Sequence, residues 1–382
     1  RVMKKFMVLT GKRGGYGAMK PMLRFIQEDP DIDLQLVVTD QHLNSKFGRT
    51  INEIEKDFEI TAKVEMMQKD GCAISRSQAL GNFIVGMSLV IEKHSPDILL
   101  LYGDRGEVIA AAIAATTMGI PIAHIQGGDV SGSVDEQFRH ATTKLAQIHF
   151  PSTENSAQRI KNLGEEDWRI HVVGDNHIDE ILAGNYLKPF EVIKKLSLNL
   201  QSPIIVVLQH SETTDPSASY NQMIETLSAV NQMDTQTVVV YPCSDVGYEG
   251  IISAIKQYED LEKFQVHINL DASLFWGLLN IATVLVGNSS AGIVETPSFH
   301  IPVINIGRRQ EGRLHAENVI HVAHNRKKIK EALEVAINDA SFHSLVHNCT
   351  QPYGNGTAGK KITKILKETY IDKRLMTKKI TY

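Results

Sequence analysis

The chain has 382 residues, of which 42% are hydrophobic and 22% are charged, and its formal net charge is −4. This length favours two domains, and the composition is that of an ordinary soluble globular protein. The weak negative charge gives no reason to expect nucleic acid as a partner, and no apolar run approaches the ~20 residues that would insert the chain into a membrane. The segment Phe6–Leu9 is too short for the apolar core of a secretory signal.

The cysteines indicate a reducing compartment. Cys72, Cys243 and Cys349 lie far apart and include no Cys-x-x-Cys pair. This spacing argues against a zinc site and against a disulfide framework. We therefore expect a cytoplasmic protein.

In the first half of the chain, short apolar strands alternate with helices. The predicted strands are Phe6–Thr10, Leu34–Thr39, Ile98–Tyr102, Ile120–Ile125, Ile148–Pro151 and Ile170–Val173. The predicted helices are Met19–Gln27, Glu107–Met118 and Ser133–Leu145. This alternation is typical of a parallel sheet with right-handed crossovers.

A polar stretch from Leu182 to Ser202 is followed by a second half in which the same alternation restarts. Its predicted strands are Ile204–Leu208, Thr237–Tyr241, Phe264–Ile268, Val284–Val286 and Val303–Ile306. Its predicted helices are Ser219–Asn231, Gly250–Gln257, Ala272–Ile281 and Ala358–Tyr370. We therefore predict two similar α/β halves with a cleft between them.

Polar residues gather after two buried strands of the first half. Gln126-Gly127-Gly128-Asp129 follows one strand, and Tyr102-Gly103-Asp104-Arg105 follows another. In open α/β sheets, ligands bind outside the carboxyl ends of the strands. Asp104 could instead cap the next helix. We favour a functional role because the two strand ends carry neighbouring polar clusters.

Two further features of the first half have structural alternatives. Asp135 and Arg139 share one helix face, where they could also form a surface ion pair. The Gly11–Gly17 segment, between a strand and a helix, could let Arg13 contact a phosphate, or it could be a flexible loop. It matches neither Gly-x-Gly-x-x-Gly nor a P-loop, so neither a nicotinamide cofactor nor ATP hydrolysis is supported.

The second half carries the stronger phosphate signals. The small residues from Gly287 to Gly292 follow a strand, where Ser289 and Ser290 could surround a diphosphate or merely cap a tight turn. Glu295, one turn on, could bind ribose hydroxyls. Three arginines follow the last strand and could hold phosphate, although at least one of them is expected to be a surface charge; they are Arg308, Arg309 and Arg313.

His210 ends another strand of this half. It could stabilise a leaving phosphate or move a proton, although a single histidine is more often structural.

Taken in order, these motifs resemble the hydrolysing UDP-N-acetylglucosamine 2-epimerases of sialic-acid biosynthesis. The resemblance covers nearly the whole chain and includes Thr39 to Leu43, Gly103 to Arg105, Gln126 to Gly132, Asp135, Arg139-His140, Thr143 to Leu145, Gln209-His210, Gly287 to Gly292, Asn305 to Gly307 and Pro352 to Gly356. It implies a glycosyltransferase-B-like architecture, in which two Rossmann-like domains face each other across a cleft. The implied domains are residues 1–182 and 183–361, with a C-terminal helix near 362–382 that crosses back to the first domain.

The resemblance also implies the reaction. UDP-N-acetylglucosamine and water give N-acetylmannosamine and UDP: the C2 proton and UDP are eliminated to form 2-acetamidoglucal, and water then adds with inversion at C2. It implies acid–base roles for Asp104 and Asp135 and support of the departing phosphate by His210. The implied UDP contacts are Arg13, Arg105, Ser289, Ser290 and Arg309, with Glu295 on the ribose, and the implied sugar-pocket residues are His42, Gln126 and Arg139. Neither a metal nor a redox cofactor is implied, and a homodimer is expected.

Three positions depart from the family pattern. Many relatives carry an acidic residue at Gly15, which puts a sugar contact of the first loop in doubt. Some relatives carry glutamate at the position of Gln126. The amide of Gln126 cannot act as a carboxylate base. At the position of Cys243, the animal enzyme of this family looks to have asparagine, so a nucleotide contact could be lost.

There are four alternative functions to the hydrolysing UDP-N-acetylglucosamine 2-epimerase. Non-hydrolysing 2-epimerases look different, with Arg-Pro-Glu in the first loop and Glu-Ala-Gly at the strand end, whereas this chain has Arg13-Gly14-Gly15 and Gln126-Gly127-Gly128. Hydrolysing epimerases that act on UDP-N,N'-diacetylbacillosamine tend to carry histidine before the two glycines, so Gln126 weighs against that substrate. A UDP-sugar glycosyltransferase would leave C2 untouched. A nucleotide-sugar binding protein without catalysis is disfavoured by the presence of both aspartates and His210.

Overall fold

The computed structural model describes residues 3–382, so Arg1 and Val2, with which the first predicted domain begins, lie outside the described residues. The described chain forms two compact units. The first comprises residues up to Asp129, Val134–Ala183 and Tyr353–Tyr382, and the second comprises Val130–Ser133 and Gly184–Pro352. The chain leaves the first unit inside the polar stretch noted above, and its C-terminal segment returns to it.

The first unit is built on a parallel sheet of six strands. These are β1 (Lys4–Thr10), β2 (Ile32–Thr39), β3 (Ala62–Val64), β4 (Ile98–Tyr102), β5 (Ile122–Ile125) and β6 (Ile148–Phe150). Their order in the sheet is β3-β2-β1-β4-β5-β6. The strands are nearly continuous apolar runs because helices cover both faces of the sheet.

The helices of this unit are α1 (Arg13–Glu28), α2 (Ile51–Asp57), α3 (Ala73–His94), α4 (Gly106–Thr117), α5 (Val134–Leu145), α6 (Glu154–Asn162), α7 (Asn176–Leu182), α15 (Ala358–Glu368) and α16 (Lys373–Met376). Alternate residues of β1 enter different cores, as the period of a strand requires. Phe6 and Val8 pack with residues of α1 and α15. Met7 and Leu9 pack with residues of α3 and α4 on the other face.

The second unit repeats this plan. Its strands are β7 (Ile204–Leu208), β8 (Gln236–Val240), β9 (Phe264–His267), β10 (Val284–Gly287), β11 (Val303–Ile306) and β12 (Val319–Val322), in the sheet order β12-β11-β10-β7-β8-β9. Its helices are α8 (Pro189–Leu196), α9 (Ser219–Asn231), α10 (Tyr248–Ile255), α11 (Ala272–Ile281), α12 (Ala291–Val294), α13 (Arg326–Asn338) and α14 (Ala340–His347). Among residues 3–382, no helix is both long and apolar enough to span a bilayer.

The predicted α/β class with two Rossmann-like domains is confirmed. Several elements have the predicted bounds, among them β4, β7, α9, α11 and β11. The predicted strand Ile170–Val173 is wrong, since this segment contributes only an isolated bridge between His149 and Ile170. It ends at Gly174, whose φ of +87° turns the chain toward α7.

The start of α1 also differs from the prediction. The segment predicted as a glycine-rich turn is helical from Arg13, six residues before the predicted start at Met19. Glycine lowers helix stability by ~1 kcal/mol relative to alanine, which is why the glycines suggested a loop. The helix forms nonetheless because it buries Met19, Met22 and Leu23 against the sheet.

Helix α15 is fastened to the first unit at both ends. The Asp179 carboxylate accepts the backbone N–H groups of Ala358 at 2.9 Å and Gly359 at 2.7 Å. Lys4 donates its ammonium protons to the carbonyl oxygens at the other end of the helix. These contacts satisfy backbone groups that a helix leaves unpaired at its ends.

Asp179 gives this attachment a pH dependence. Burial, with the nearby Asp175 and Glu180 charges, raises the pKa of Asp179 to about 6 against the N–H donors, which lower it. The folded protein therefore holds this proton more tightly than the unfolded chain, whose pKa is 3.8. We expect Asp179 to lower the unfolding free energy by about 2 to 3 kcal/mol as the pH rises from about 4 to about 6. Asp179→Asn should flatten that decline in urea unfolding, and an unchanged slope would contradict the assignment.

Candidate active site

Both sheets have a switch point where the strand order reverses. In the first sheet it lies between β1 and β4, and in the second between β7 and β10. Ligands of open α/β sheets bind at the carboxyl ends of the strands at such points. The predicted site residues Arg13, Asp104 and Gln126 follow β1, β4 and β5, while His210 and Ser289 follow β7 and β10.

In the first unit, Asp104 is held by Arg139. The guanidinium donates through Nη2 to Asp104 Oδ2 and through Nη1 to the Asp129 carbonyl oxygen at 3.0 Å. Arg139 is 1% exposed, whereas the Asp104 side chain keeps 22% of its surface exposed. The arginine thus fixes a carboxylate that solvent or a ligand can reach.

Asp135 lies on the same helix as Arg139. It belongs to the first turn of α5, four residues before Arg139, and is 7% exposed. Residues four apart share one face of a helix, so Asp135 lies on the same face of α5 as Arg139, the partner of Asp104. The structure therefore brings Asp104 and Arg139 into contact and places Asp135 one turn away from that pair.

Arg105 belongs to a buried ionic cluster. Its guanidinium lies 2.9 Å from Glu107 and 3.2 Å from Asp40, and Arg76 pairs with the same two carboxylates. Burial raises the pKa of Asp40, although both arginines oppose the shift. Burial would also raise the pKa of Glu107, but Arg105 and Arg76 outweigh it and hold that pKa below its ordinary value. A UDP contact by Arg105 would have to share its guanidinium with two carboxylates.

His42 is fully buried on the 3-10 turn Asp40–Leu43. Its Nε2 lies 2.9 Å from the Thr10 hydroxyl and its Nδ1 lies 2.6 Å from the Thr50 hydroxyl. Burial lowers its pKa to about 3, so the ring is neutral. Both ring nitrogens are occupied, which gives His42 a part in holding the loop after β2.

Gln126 takes part in a hydrogen-bonded network. Its φ of +68° is unusual for a residue with a side chain. Its Nε2 donates to Asp175 Oδ2 at 2.6 Å. The other carboxylate oxygen of Asp175 lies 2.7 Å from His177 Nδ1, and the Tyr102 hydroxyl lies 2.8 Å from the same nitrogen.

Asp175 and His177 are not among the site residues predicted from the sequence. A signal was present, since Gly174-Asp175 precedes the apolar pair Ile178 and Ile181, the pattern of a turn followed by a capped helix. Asp175 does cap α7, and its carboxylate accepts the His177 backbone N–H. Burial would raise the pKa of Asp175, but His177 and the hydrogen-bond donors around the carboxylate lower it to about 2.

In the second unit, His210 and Asn288 join the ends of β7 and β10. The His210 backbone N–H donates to Asn288 Oδ1 at 2.7 Å, and Asn288 Nδ2 donates to the His210 carbonyl oxygen at 2.9 Å. Asn288 is fully buried. This exchange holds His210 at the switch point of the second sheet.

Cys243 determines the tautomer of His210. The Cys243 backbone N–H donates to His210 Nδ1 at 3.0 Å. A nitrogen that accepts a hydrogen bond carries no proton, so the neutral ring carries its proton on Nε2 and can donate from there. The Cys243 thiol adds contacts with His210 Nδ1 at 3.1 Å and Asp245 at 2.9 Å.

Because the backbone rather than the thiol fixes this tautomer, Cys243→Ser should leave UDP affinity within about 3-fold of the wild type, while His210→Ala should weaken it by about 10-fold or more. Calorimetric titration with UDP measures both values. A loss in Cys243→Ser equal to that in His210→Ala would show that the thiol is required.

The segment after β10 is compact. Ser290 precedes α12, which is only one turn long, and the Ser289 hydroxyl accepts the Ala291 backbone N–H. Donors for a diphosphate would therefore come from the hydroxyls and loop amides rather than from a long helix. Glu295 is buried, and its carboxylate accepts the Trp276 indole N–H at 2.8 Å.

The arginines after β11 have different surroundings. Arg308 is a surface charge paired with Glu311, as expected for at least one of them. Arg309 is 8% exposed and donates to the Asn288 carbonyl oxygen at 3.3 Å and to Asp245 at 3.4 Å. Of the two, Arg309 is the one that lies beside Asn288, the partner of His210.

The chain is similar to known proteins in both sequence and fold. The family model described as UDP-N-acetylglucosamine 2-epimerase matches residues 24–367. A UDP-N,N'-diacetylbacillosamine 2-epimerase (hydrolyzing) of Legionella pneumophila is 33% identical over 99% of each chain. A UDP-N-acetylglucosamine 2-epimerase of Neisseria meningitidis is 30% identical over 90% of each chain. The crystal structure of UDP-GlcNAc 2-epimerase from Neisseria meningitidis bound to UDP-GlcNAc superposes with a TM-score of 0.79, covering 96% of this chain and 100% of that one at 20% identity.

Proposed function

Because the chain belongs to the UDP-N-acetylglucosamine 2-epimerase family, we propose that it hydrolyses UDP-N-acetylglucosamine to N-acetylmannosamine and UDP with inversion at C2. The observation that carries this proposal is the Asp104 carboxylate, held by buried Arg139 at the end of β4 and left partly exposed. The C2–H bond is only weakly acidic, so its cleavage needs a positioned base. Asp104 and Asp135 are the proposed acid–base pair at the sugar.

The leaving group needs separate support. UDP departs with developing negative charge, which fixed donors and cations stabilise. In the second unit, His210 with its Nε2 proton, Arg309 and the hydroxyls of Ser289 and Ser290 supply these groups near the ends of β7 and β10. We propose that this cluster binds the diphosphate.

The hydrolysing outcome rests on two features. Gln126-Gly127-Gly128 departs from the strand-end pattern of the non-hydrolysing enzymes, and relatives in Legionella pneumophila and Campylobacter jejuni are named as hydrolyzing enzymes. A hydrolysing enzyme releases one UDP for each N-acetylmannosamine. A non-hydrolysing one would release UDP-N-acetylmannosamine instead, and a glycosyltransferase would need an acceptor.

A second substrate is favoured by one comparison. The relative from Legionella pneumophila, 33% identical, is named for UDP-N,N'-diacetylbacillosamine, which carries an acetamido group at C4. Measuring kcat/KM for both UDP-sugars under identical conditions separates the candidates. We expect UDP-N-acetylglucosamine to be preferred, and a preference of ~10-fold or more for the diacetamido sugar, about 1.4 kcal/mol of differential binding, would reassign the substrate.

The homodimer and the cytoplasmic location stay predictions. The outer face of α3 carries exposed apolar side chains, among them Ile74, Val85 and Leu89. Apolar patches of this kind mark interaction surfaces, which supports the expected dimer.

A further inference from the structure

The proposed reaction includes three proton transfers, two at C2 and one from the attacking water. In the elimination, a base takes the C2 proton, the C–H electron pair becomes the C1=C2 bond, and UDP leaves with the C1–O pair. In the addition, the water oxygen bonds to C1 and loses a proton, while C2 gains a proton on the opposite face. Inversion at C2 engages one group on each face of the sugar, which leaves the proton of water as a task for a further group.

Asp175 and His177 have the geometry of an acid–base dyad. Asp175 Oδ1 lies 2.7 Å from His177 Nδ1. Its neighbours hold the pKa of Asp175 at about 2, so the carboxylate accepts and Nδ1 must carry the proton. The basic nitrogen of the neutral ring is therefore Nε2, and the carboxylate stabilises the imidazolium that forms when Nε2 takes a proton.

The surroundings of the dyad hold its charge in place. Gln126 Nε2 and the Ser152 hydroxyl both donate to Asp175 Oδ2, at 2.6 and 3.3 Å. The Tyr102 hydroxyl donates to Asp175 Oδ1 at 3.4 Å. Asp175 has no exposed side-chain surface, whereas His177 keeps 11%. Only the histidine of the pair can therefore meet a substrate.

Two neighbours of the dyad, Tyr102 and Gln126, lie at the ends of β4 and β5. Tyr102 is the last residue of β4 and stands two positions before Asp104. Gln126 follows the neighbouring strand β5, and the Gly103 backbone N–H donates to the Ile125 carbonyl oxygen at 3.0 Å. The contacts of His177 and Asp175 are thus made with the two strand ends that carry Asp104 and the Gln126 cluster.

We propose that His177, oriented by Asp175, accepts the proton of the water that adds to C1. This inference rests on the proposed hydrolytic function. In the step, the water O–C1 bond forms, the C1=C2 electron pair bonds to a proton that one of the two aspartates donates at C2, and the water proton passes to His177 Nε2. Gln126 is then a positioning residue, because it acts through Asp175.

The test is the distribution of products in His177→Asn. Elimination does not need this histidine, so UDP should still be released within ~10-fold of the wild-type rate. The sugar product should be 2-acetamidoglucal. Formation of N-acetylmannosamine should fall by ~100-fold or more. Proton NMR distinguishes the vinylic product from the hydrated one. His171→Asn, a half-buried histidine of the same unit outside the network, is the matched control and should make N-acetylmannosamine normally.

Exchanging the charge within the network separates catalysis from folding. In Gln126→Glu alone, the new carboxylate would face that of Asp175. Combining it with Asp175→Asn keeps the hydrogen bonds to His177 and to residue 126, because the new amide can accept from His177 and donate to the new carboxylate, and it gives up only the longer hydrogen bond from Ser152. We expect the double variant to regain the melting temperature lost by Gln126→Glu but not N-acetylmannosamine formation, since the charge beside the histidine has moved.

Two results would overturn the inference. In one, His177→Asn makes N-acetylmannosamine at the wild-type rate. In the other, UDP release and N-acetylmannosamine formation fall in parallel, without 2-acetamidoglucal. Failure of the proposed function itself looks different, because the wild-type protein would then release no UDP from the UDP-sugar.

Discussion

Replacing Asp104 or Asp135 with asparagine is expected to lower the turnover of UDP-N-acetylglucosamine by at least ~100-fold, with near-normal UDP affinity, because general acid–base catalysis is lost. At Asp104 the new amide oxygen can still accept from Arg139, so the side chain should stay in place without its basicity. Initial rates of N-acetylmannosamine formation and calorimetric UDP binding give the two quantities.

A matched control lies next to Asp135 on α5. Glu136 is part-exposed and pairs with His140 at 3.5 Å. Glu136→Gln removes one carboxylate from the same helix and should keep full activity. Near-full turnover in Asp104→Asn or Asp135→Asn would remove that residue from the mechanism.

Gly287→Ala is expected to destabilise the protein by about 2 to 4 kcal/mol and to abolish tight UDP binding. The φ of Gly287 is +141°, and a Cβ atom there would overlap the Leu208 carbonyl oxygen. Leu208 is the partner of Gly287 in the pairing of β7 with β10. The substitution must therefore part the two strand ends that His210 and Asn288 join.

The control for Gly287→Ala is a glycine whose replacement should raise the free energy of unfolding. Gly81 is exposed within α3, and a Cβ atom there meets nothing within 4 Å. Gly81→Ala should raise the unfolding free energy by up to ~1 kcal/mol, because alanine favours the helix. Urea unfolding measures both variants, and a loss of less than about 1 kcal/mol in Gly287→Ala would contradict the close approach of β7 and β10.

Ten of the twelve strands within residues 3–382 could be predicted because their apolar sequences are a signal of their own, whereas β3 and β12 are not predicted from the sequence. Apolar runs such as Ile204–Leu208 are buried on both faces, and the polar residues that follow mark their ends. The sequence predicts no element between β2 and β4. There, α3 buries Ala79, Phe83, Met87 and Ile91 at helical spacing, but exposed Val85 and Leu89 blur the amphipathic pattern.

The sequence predicts which residues lie at the candidate site better than it predicts their hydrogen-bond and ion-pair partners. Strand ends identified Asp104, Gln126 and His210 because a parallel sheet collects its ligands there. Spacing along the chain places Arg139 on one helix face with Asp135, but it gives no sign of the ion pair between Arg139 and Asp104, which lies 35 residues away. Contacts over such distances depend on the crossovers between strands, which local patterns do not encode.

The buried cluster around Arg105 shows the same limit. Its carboxylate partners are Asp40, directly after β2, and Glu107, in the first turn of α4. The sequence identifies Arg105 but does not show that these two carboxylates pair with it. The dyad of Asp175 and His177 was hidden for a related reason. Its partner Gln126 is 49 residues away and acquires its role through that contact.

Proton NMR of the protein with UDP-N-acetylglucosamine in D2O distinguishes hydrolytic epimerisation from the other reactions. We expect free UDP and N-acetylmannosamine that carries deuterium at C2, because the C2–H bond is broken and solvent supplies the new proton. UDP-N-acetylmannosamine without free UDP would contradict the hydrolytic step. N-acetylglucosamine with protium retained at C2 would contradict epimerisation altogether.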